Sequence, residues 1–329
     1  MPQTFAATDA VELAVVERSG FVESRHAGIA IVLAADGTIA ERLGDPSALI
    51  LPRSSLKPLQ ALACLSAGAP LEGERLGLAT ASHSGTDRHV AVVRDILALA
   101  ELGEDALGCP AAWPADTATR DELVRELGQP SRIRMNCSGK HATMLLTSVL
   151  NGWDPESYLA PDHPVQILVR ETVERLIGEK VAATAVDGCG APVYAMTLFG
   201  LARAIHRIGN SSTTSPFALH RSAGALVDAV RADPWTIDGP GRADTIAIER
   251  LGVFAKGGAE GVMVMVAPNG TTVTLKMLDG SGRAATAVAL RLLERHGALA
   301  SADVADTMSR LPLAVTGGGQ DVGAIRPAF

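Results

Sequence analysis

Strand patterning at both ends of the chain, with helical patterning between, is the feature that most restricts its fold. Near the N-terminus VELAVVERSG, GIAIVLA and TIAERLG read as strands, the last two joined by the turn AADG, as in a hairpin or meander. In the last third, LGVFAKGGAEGVMVMVAPNGTTVTLKML reads as two strands joined by a Pro-Asn-Gly turn, and a helix follows. Between these ends, apolar residues recur at helical spacing in HVAVVRDILALAEL, RDELVRELG, RMNCSGKHATMLLTSVLNGW, HPVQILVRETVERLIGE and SPFALHRSAGALVDAVRAD. One antiparallel sheet closed by both termini, carrying a largely helical insert, accommodates that order and makes the fold α/β in the α+β sense. The expectation is a single domain over 1–329, with sheet parts at about 10–50 and 250–329 and a mainly helical part at about 52–235.

Composition narrows the function. With 47% hydrophobic residues in 329, the chain can bury a sizeable core. A net charge of -7, with no basic run, argues against nucleic acid and for a small-molecule substrate. No stretch of about 18 apolar residues is present to span a bilayer, and MPQTFAATDAVEL lacks the charged and apolar regions of a signal peptide. The expected location is cytoplasmic, with no membrane partner. The four cysteines, Cys64, Cys109, Cys137 and Cys189, are too scattered for a disulfide framework, which leaves packing, metal binding or catalysis. Cys64, in the apolar run LQALACLSAG, is expected in the core.

Within LPRSSLKPLQ, Ser54 and Lys57 form S-x-x-K. Residues three apart share a helix face, so a neutral Lys57 amine at a helix start can reach the Ser54 hydroxyl and take its proton. If Ser54 or Ser55 caps the helix, Pro58 falls in the first turn, where it is tolerated. Lysine usage adds weight. Of 29 basic residues only five are lysines: Lys57, Lys140, Lys180, Lys256 and Lys276. Arginine cannot lose its proton in a protein and lysine can, so lysine is kept where more than charge is needed. Ser82, His83 and Ser84 sit where an apolar run meets a helix, and either form a second polar corner or cap that helix. Cys137 and Lys140 lie three apart at a helix start, followed by His141, while Asp187 and Cys189 sit among glycines in VDGCGAP. Cys137, Lys140, Cys189 and Asp187 are candidate metal donors. Lys256, just before a strand and beside two glycines, is free to point into a cleft. Lys180 and Lys276 are expected in solvent.

The order S-x-x-K helix, middle serine, late lysine-glycine strand is similar to that of penicillin-binding proteins and serine β-lactamases, with Ser54, Ser82 or Ser84, and Lys256 in those places. There is no S-D-N, and KGG replaces K-T-G. Over nearly its whole length the chain resembles the L-asparaginase II family, the class 3 serine-lysine asparaginases with a serine β-lactamase-like fold. The segments that carry the resemblance are VESRHAG (22–28), PRSSLKPLQ (52–60), ASHSG (81–85), NCSGKHA (136–142), DGCGAP (187–192) and KGGAEG (256–261). The resemblance implies two Ser-Lys pairs, Ser54 with Lys57 and Ser82 with Lys256, a zinc ion on Cys137, Lys140 and Cys189 beside Asp187, and a homodimer. The activity it implies is hydrolysis of L-asparagine to L-aspartate and ammonia through an acyl-enzyme. An amino-acid substrate needs charge partners at both ends, for which Arg53 and Asp187 are candidates, with His141 as a further substrate-binding residue. The rival readings are a glutaminase, a β-lactamase-like serine acyl hydrolase, and a non-catalytic zinc-binding protein.

Overall fold

The structure is a computed structural model that describes residues 3–329. The N-terminal meander forms as patterned, with β1 (Val11–Arg18), β2 (Phe21–Leu33) and β3 (Ile39–Leu43). A two-residue strand β4 (Leu49–Ile50) leads into a 3-10 turn, Arg53–Leu56, and then α1 (Lys57–Ser66). Helices α2 (Gly73–Ala79), α3 (Asp87–Leu99), α4 (Thr117–Arg125), α5 (Ser138–Leu150) and α6 (Pro164–Ile177) make up most of the insert. Strands β5 (Ala183–Val186) and β6 (Pro192–Thr197) join β4 in a small antiparallel sheet, β4-β6-β5, absent from the sequence expectation. Helices α7 (Leu198–Gly209), α8 (Ala218–Ala232) and α9 (Ala243–Leu251) follow. The C-terminal part is β7 (Phe254–Gly258), β8 (Val262–Val266), β9 (Thr272–Met277), α10 (Ala285–Arg295), α11 (Ser301–Met308), β10 (Ala314–Gly317) and β11 (Gln320–Pro327).

The main sheet has the order β10-β11-β1-β2-β9-β8-β7, with β3 also paired on β2, and its pairings are antiparallel. Strand β2 is long enough to pair over its first half with β1 and over its second half with β9. The last strand, β11, closes onto the first, from Ala14 opposite Pro327 to Arg18 opposite Gly323. An antiparallel sheet built from both termini around a helical insert is the α/β layout that the β-lactamase-like resemblance implies.

Helices α7 and α10 both pack on β8 and β9, and every residue of those two strands is buried. A strand covered on both faces loses the in-out alternation that marks a half-exposed strand. Lys276 is therefore buried and not solvated: its amine donates to the carbonyls of Glu260, at 2.7 Å, and Met277, at 2.6 Å. Lys180 is in solvent, as expected.

Helix α1 is apolar all round and packs among α5, α6 and α8, with Lys57 through Cys64 buried. Cys64 lies in this core, where burial pushes its thiol up to about 11. The helix starts at Lys57, with no side chain capping it and Pro58 in its first turn. Ser54 belongs to the 3-10 turn before it.

Candidate active site

Three segments converge where the insert meets the edge of the sheet: the turn Arg53–Leu56 with the start of α1, the loop after α2, and β7. Two approaches hold them together. Ser55, fully buried, donates from its hydroxyl to the Lys256 carbonyl at 3.1 Å. A Cβ on Gly258 would lie 2.7 Å from the Pro52 carbonyl oxygen and 2.9 Å from Ser55 Oγ, so the turn seats against β7 only because residue 258 has no side chain. Lys256 lies inside β7, opposite Val264 of β8, and not ahead of the strand as the sequence suggests.

Ser82 Oγ is the meeting point. Lys57 Nζ donates to it at 3.0 Å and Lys256 Nζ at 2.9 Å. The Lys57 amine also donates to the Ala81 carbonyl and, at 3.3 Å, to the Asn136 carbonyl. The Lys256 amine turns back to its neighbour's carbonyl, Gly257, at 2.5 Å. Both lysines are essentially fully buried. Burial, then the facing charge of Lys57, brings Lys256 down to about 8. Of the two expected pairs, Ser82 with Lys256 is present and Ser54 with Lys57 is not. Lys57 serves Ser82 rather than Ser54, and among the described residues Ser54 Oγ has no hydrogen-bond partner. The amine leans across to the next loop because the S-x-x-K stretch is not one continuous helix: its serine sits in the 3-10 turn.

The Ser82 loop is built rather than incidental. Ser82 N–H donates to Ile237 O at 2.8 Å. His83 accepts from the Gly85 N–H on Nδ1 and bonds Ser138 Oγ through Nε2 at 2.9 Å, while burial holds the ring well below its usual range and so neutral. The cap of α3 is Thr86, whose Oγ1 accepts from His89 N–H. Ser82, His83 and Ser84 are thus not caps.

Arg53 and Asp187 face each other at the edge of the site. Arg53 Nε donates to Asp187 Oδ1 at 2.7 Å, and Glu260 stands 3.9 Å from Arg53 Nη1. Burial alone would raise the Asp187 carboxyl, but the bonds from Arg53 and the Gly188 N–H outweigh it and hold the group below the usual carboxylate range. Arg53 has φ +51°, a left-handed conformation costly for a residue with a side chain and met mostly where a site requires it. His141 is completely buried, with Nδ1 on Tyr158 Oη at 2.6 Å and Nε2 unpartnered, so it does not face solvent beside Arg53.

Cys137, at the cap of α5, Lys140 in its first turn and Cys189 in the glycine-flanked loop form a buried cluster. Lys140 Nζ lies 2.9 Å from Cys189 Sγ, and Asp187 Oδ2 lies 3.9 Å from the same sulfur. The hydrogen bond from the Cys189 thiol holds Cys137 well below the usual thiol range, and Cys189 is correspondingly raised. Burial pulls the Lys140 amine down, but the sulfurs of Cys137 and Cys189 together outweigh it. Among the described residues no three His, Cys, Asp or Glu side chains converge as a metal-binding group, and a third donor beside the two cysteines would have to be the lysine. Two thiolates and an amine form a soft nitrogen-sulfur set of the kind zinc takes.

Two contributors escaped the sequence reading: Ser55, and Asp244 of α9, whose Oδ2 accepts from the Gly257 N–H at 2.5 Å. Ser55 lies next to a motif residue, where the sequence suggests only a cap, and Asp244 lies in no motif.

A half-buried serine hydroxyl held by two lysine amines is an arrangement in which a hydroxyl can exchange protons without a histidine. The chain belongs to the L-asparaginase II family, whose sequence model matches residues 14–327. No curated protein sequence matches it. Similar solved structures include Mglu in its native form, at 14% identity and TM-score 0.46, covering 82% of this chain and 64% of that one. A Bacillus glutaminase in 4.3 M NaCl is 13% identical with TM-score 0.44, covering 82% of this chain and 91% of that one. EstCE1, a hydrolase with promiscuous acyltransferase activity, is 11% identical with TM-score 0.36, covering 83% and 90%. The chain thus spans just under two thirds of the native Mglu chain. Among the described residues no helix is long and apolar enough to cross a membrane.

Proposed function

We propose that the protein hydrolyses L-asparagine to L-aspartate and ammonia through an acyl-enzyme on Ser54. The observation that carries the reading is Ser82 Oγ between two lysine amines, at 3.0 and 2.9 Å. A hydroxyl in that position accepts a proton from one amine and donates its own onward, which suits a relay. Ser54, half-buried and unpartnered, is open to a substrate carbonyl. In this scheme Lys57 passes a proton through Ser82 to neutral Lys256 and takes the Ser54 proton in its place as Oγ bonds to the side-chain amide carbon. The proton passes through Ser82 to the amide nitrogen as the C–N bond breaks and ammonia leaves. Water then attacks the ester, its proton returns through the same amines, and the Ser54 C–O bond breaks to free aspartate.

Arg53 would take the α-carboxylate on Nη1 and Nη2, and Asp187 Oδ2 the α-ammonium, since Nε and Oδ1 already bind each other. Cys137, Lys140 and Cys189 would hold zinc once Lys140 loses its proton. When bound, the ion would supply positive charge beside Asp187, orienting substrate rather than providing the nucleophile. A homodimer belongs to the same reading and rests on the family resemblance, while a cytoplasmic location is proposed from the sequence patterning.

A second reading makes Ser82 the nucleophile, because Ser82 alone of the two serines has amines at hydrogen-bond distance. Ammonia release from L-asparagine and L-glutamine, measured in parallel with and without zinc, tests the substrate. Mass spectrometry of the protein quenched during turnover locates the acyl group. Full turnover by Ser54→Ala would sink the assignment, and an acyl group on Ser82 would install the second reading.

A further inference from the structure

We propose that Asp244 is a positioning residue for Lys256: its buried carboxylate fixes the strand that carries the amine and sets a negative charge beside it. The proposal rests on the asparaginase reading above and extends it to a residue outside every motif. Gly257 is held at both its polar groups, its N–H by Asp244 Oδ2 at 2.5 Å and its carbonyl by the Lys256 amine, also at 2.5 Å. Asp244 therefore grips the residue next to Lys256, and the amine folds back onto that same residue before reaching Ser82. A Cβ on Gly257 would stand 3.1 Å from Asp244 Oδ2, so the missing side chain gives the carboxylate its close approach. Asp244 is buried at the start of α9, which packs on β7.

The charges around Lys256 are few. Lys57 faces it from α1 and disfavours its ammonium; Asp244 opposes that first, then Asp238 from the loop before α9, then Cys137 from the cap of α5. Arg242 is tied to Asp238 at 2.7 Å. Of the other elements on β7, the Arg53–Leu56 turn carries Arg53, engaged by Asp187, and α8 carries Arg231, which faces Asp228. Strand β8 has no charged residue.

The test uses Asp244→Asn, which keeps an oxygen acceptor for the Gly257 N–H and removes the charge. With only five lysines in the chain, lysine labelled with carbon-13 at Cε gives a resolvable NMR titration. In Asp244→Asn the Lys256 midpoint falls by about half a unit to one unit, and the limb of kcat/KM that rises with pH shifts down by the same amount. An unmoved midpoint overturns the proposal, even if turnover drops. Wild-type protein that turns over no asparagine would end the functional reading and leave the NMR result to decide this one. If Asp244→Asn does not fold, Gly257→Ala pushes the carboxylate away from the other side. It should lower the midpoint too, and no change there overturns the proposal equally.

Discussion

Lys57 and Lys256 meet on one oxygen atom: Ser82 Oγ accepts from both, at 3.0 and 2.9 Å. They arrive from opposite parts of the fold, Lys57 from the first helix of the insert and Lys256 from the edge strand of the sheet. Two ammonium groups that close repel, so the arrangement favours a state in which one amine is neutral.

The pH dependence follows from Lys256. Burial and the charge of Lys57 bring its amine to about 8, so its neutral form grows as pH rises through that value. A proton relay that needs the neutral amine gains activity on the same limb, and kcat/KM should rise with a midpoint near 8. Lys256→Arg keeps the charge, cannot lose its proton, and should cost about 10²–10⁴-fold in kcat with no rising limb. A wild-type profile flat between pH 6 and 9 would contradict this.

The Arg53-Asp187 pair should act on binding. Asp187→Asn leaves Arg53 with only the more distant Glu260 as counter-charge and removes the partner for a substrate ammonium. KM for L-asparagine should rise about 10–100-fold with a smaller change in kcat. Succinamate, which has the amide and carboxylate but no ammonium, should lose much less. Equal losses for both substrates would remove Asp187 from ammonium binding.

How much of this was legible in the sequence depended on how local the signal is. S-x-x-K, the serine corner and the lysine-glycine strand each occupy a few residues, and all three reach one site. The partner of Lys57 was not legible, because it turns on Ser54 lying in a 3-10 turn and on a loop 25 residues away. Strands β10 and β11 escaped notice because their sequence, AVTGGGQDVGAIRP, is glycine-rich and mostly exposed on the sheet's outer edge. In the small sheet β4-β6-β5, β4 and β5 have only two and four residues and β6 is buried along nearly its whole length, so it lacks the in-out pattern of a half-exposed strand. Lys276 belongs to the polar side of an alternating stretch, TVTLKM, which suggests a solvent face, but both faces of that strand are covered.

Metal content tests the cysteine-lysine cluster separately from turnover. Purified protein should carry about one zinc per chain by elemental analysis, and Cys189→Ser should lose it. Because the ion binds the folded state, chelation should lower Tm in the wild type and leave the variant unmoved. Metal retained at full level by Cys189→Ser would exclude this cluster as the site.

Lys276 should matter for stability rather than activity. Its amine satisfies the buried carbonyl of Met277 and the part-buried carbonyl of Glu260, and Lys276→Met would remove that donor from both. The loss should be about 1–3 kcal/mol in denaturant unfolding. A solvated lysine would give a change within about 0.5 kcal/mol, so the experiment separates the two placements directly.

Gly258 offers a test of how the site is assembled, because it carries no chemistry of its own. A methyl group there meets the Pro52 carbonyl and Ser55 Oγ at 2.7 and 2.9 Å, distances that force the turn or the strand to move. Strand β7 is hydrogen-bonded to β8 along its length, so the turn carrying Ser54 should yield first. Gly258→Ala should then lower stability by about 1–3 kcal/mol and reduce kcat at least about 10-fold, since displacing a catalytic group by an ångström is enough for that. Gly282→Ala, where no atom lies within 4 Å of the added carbon and φ is not left-handed, should change neither. If Gly258→Ala keeps full turnover, the contact between the turn and β7 does not set the position of the nucleophile, and Ser54 loses its structural claim to that role relative to Ser82.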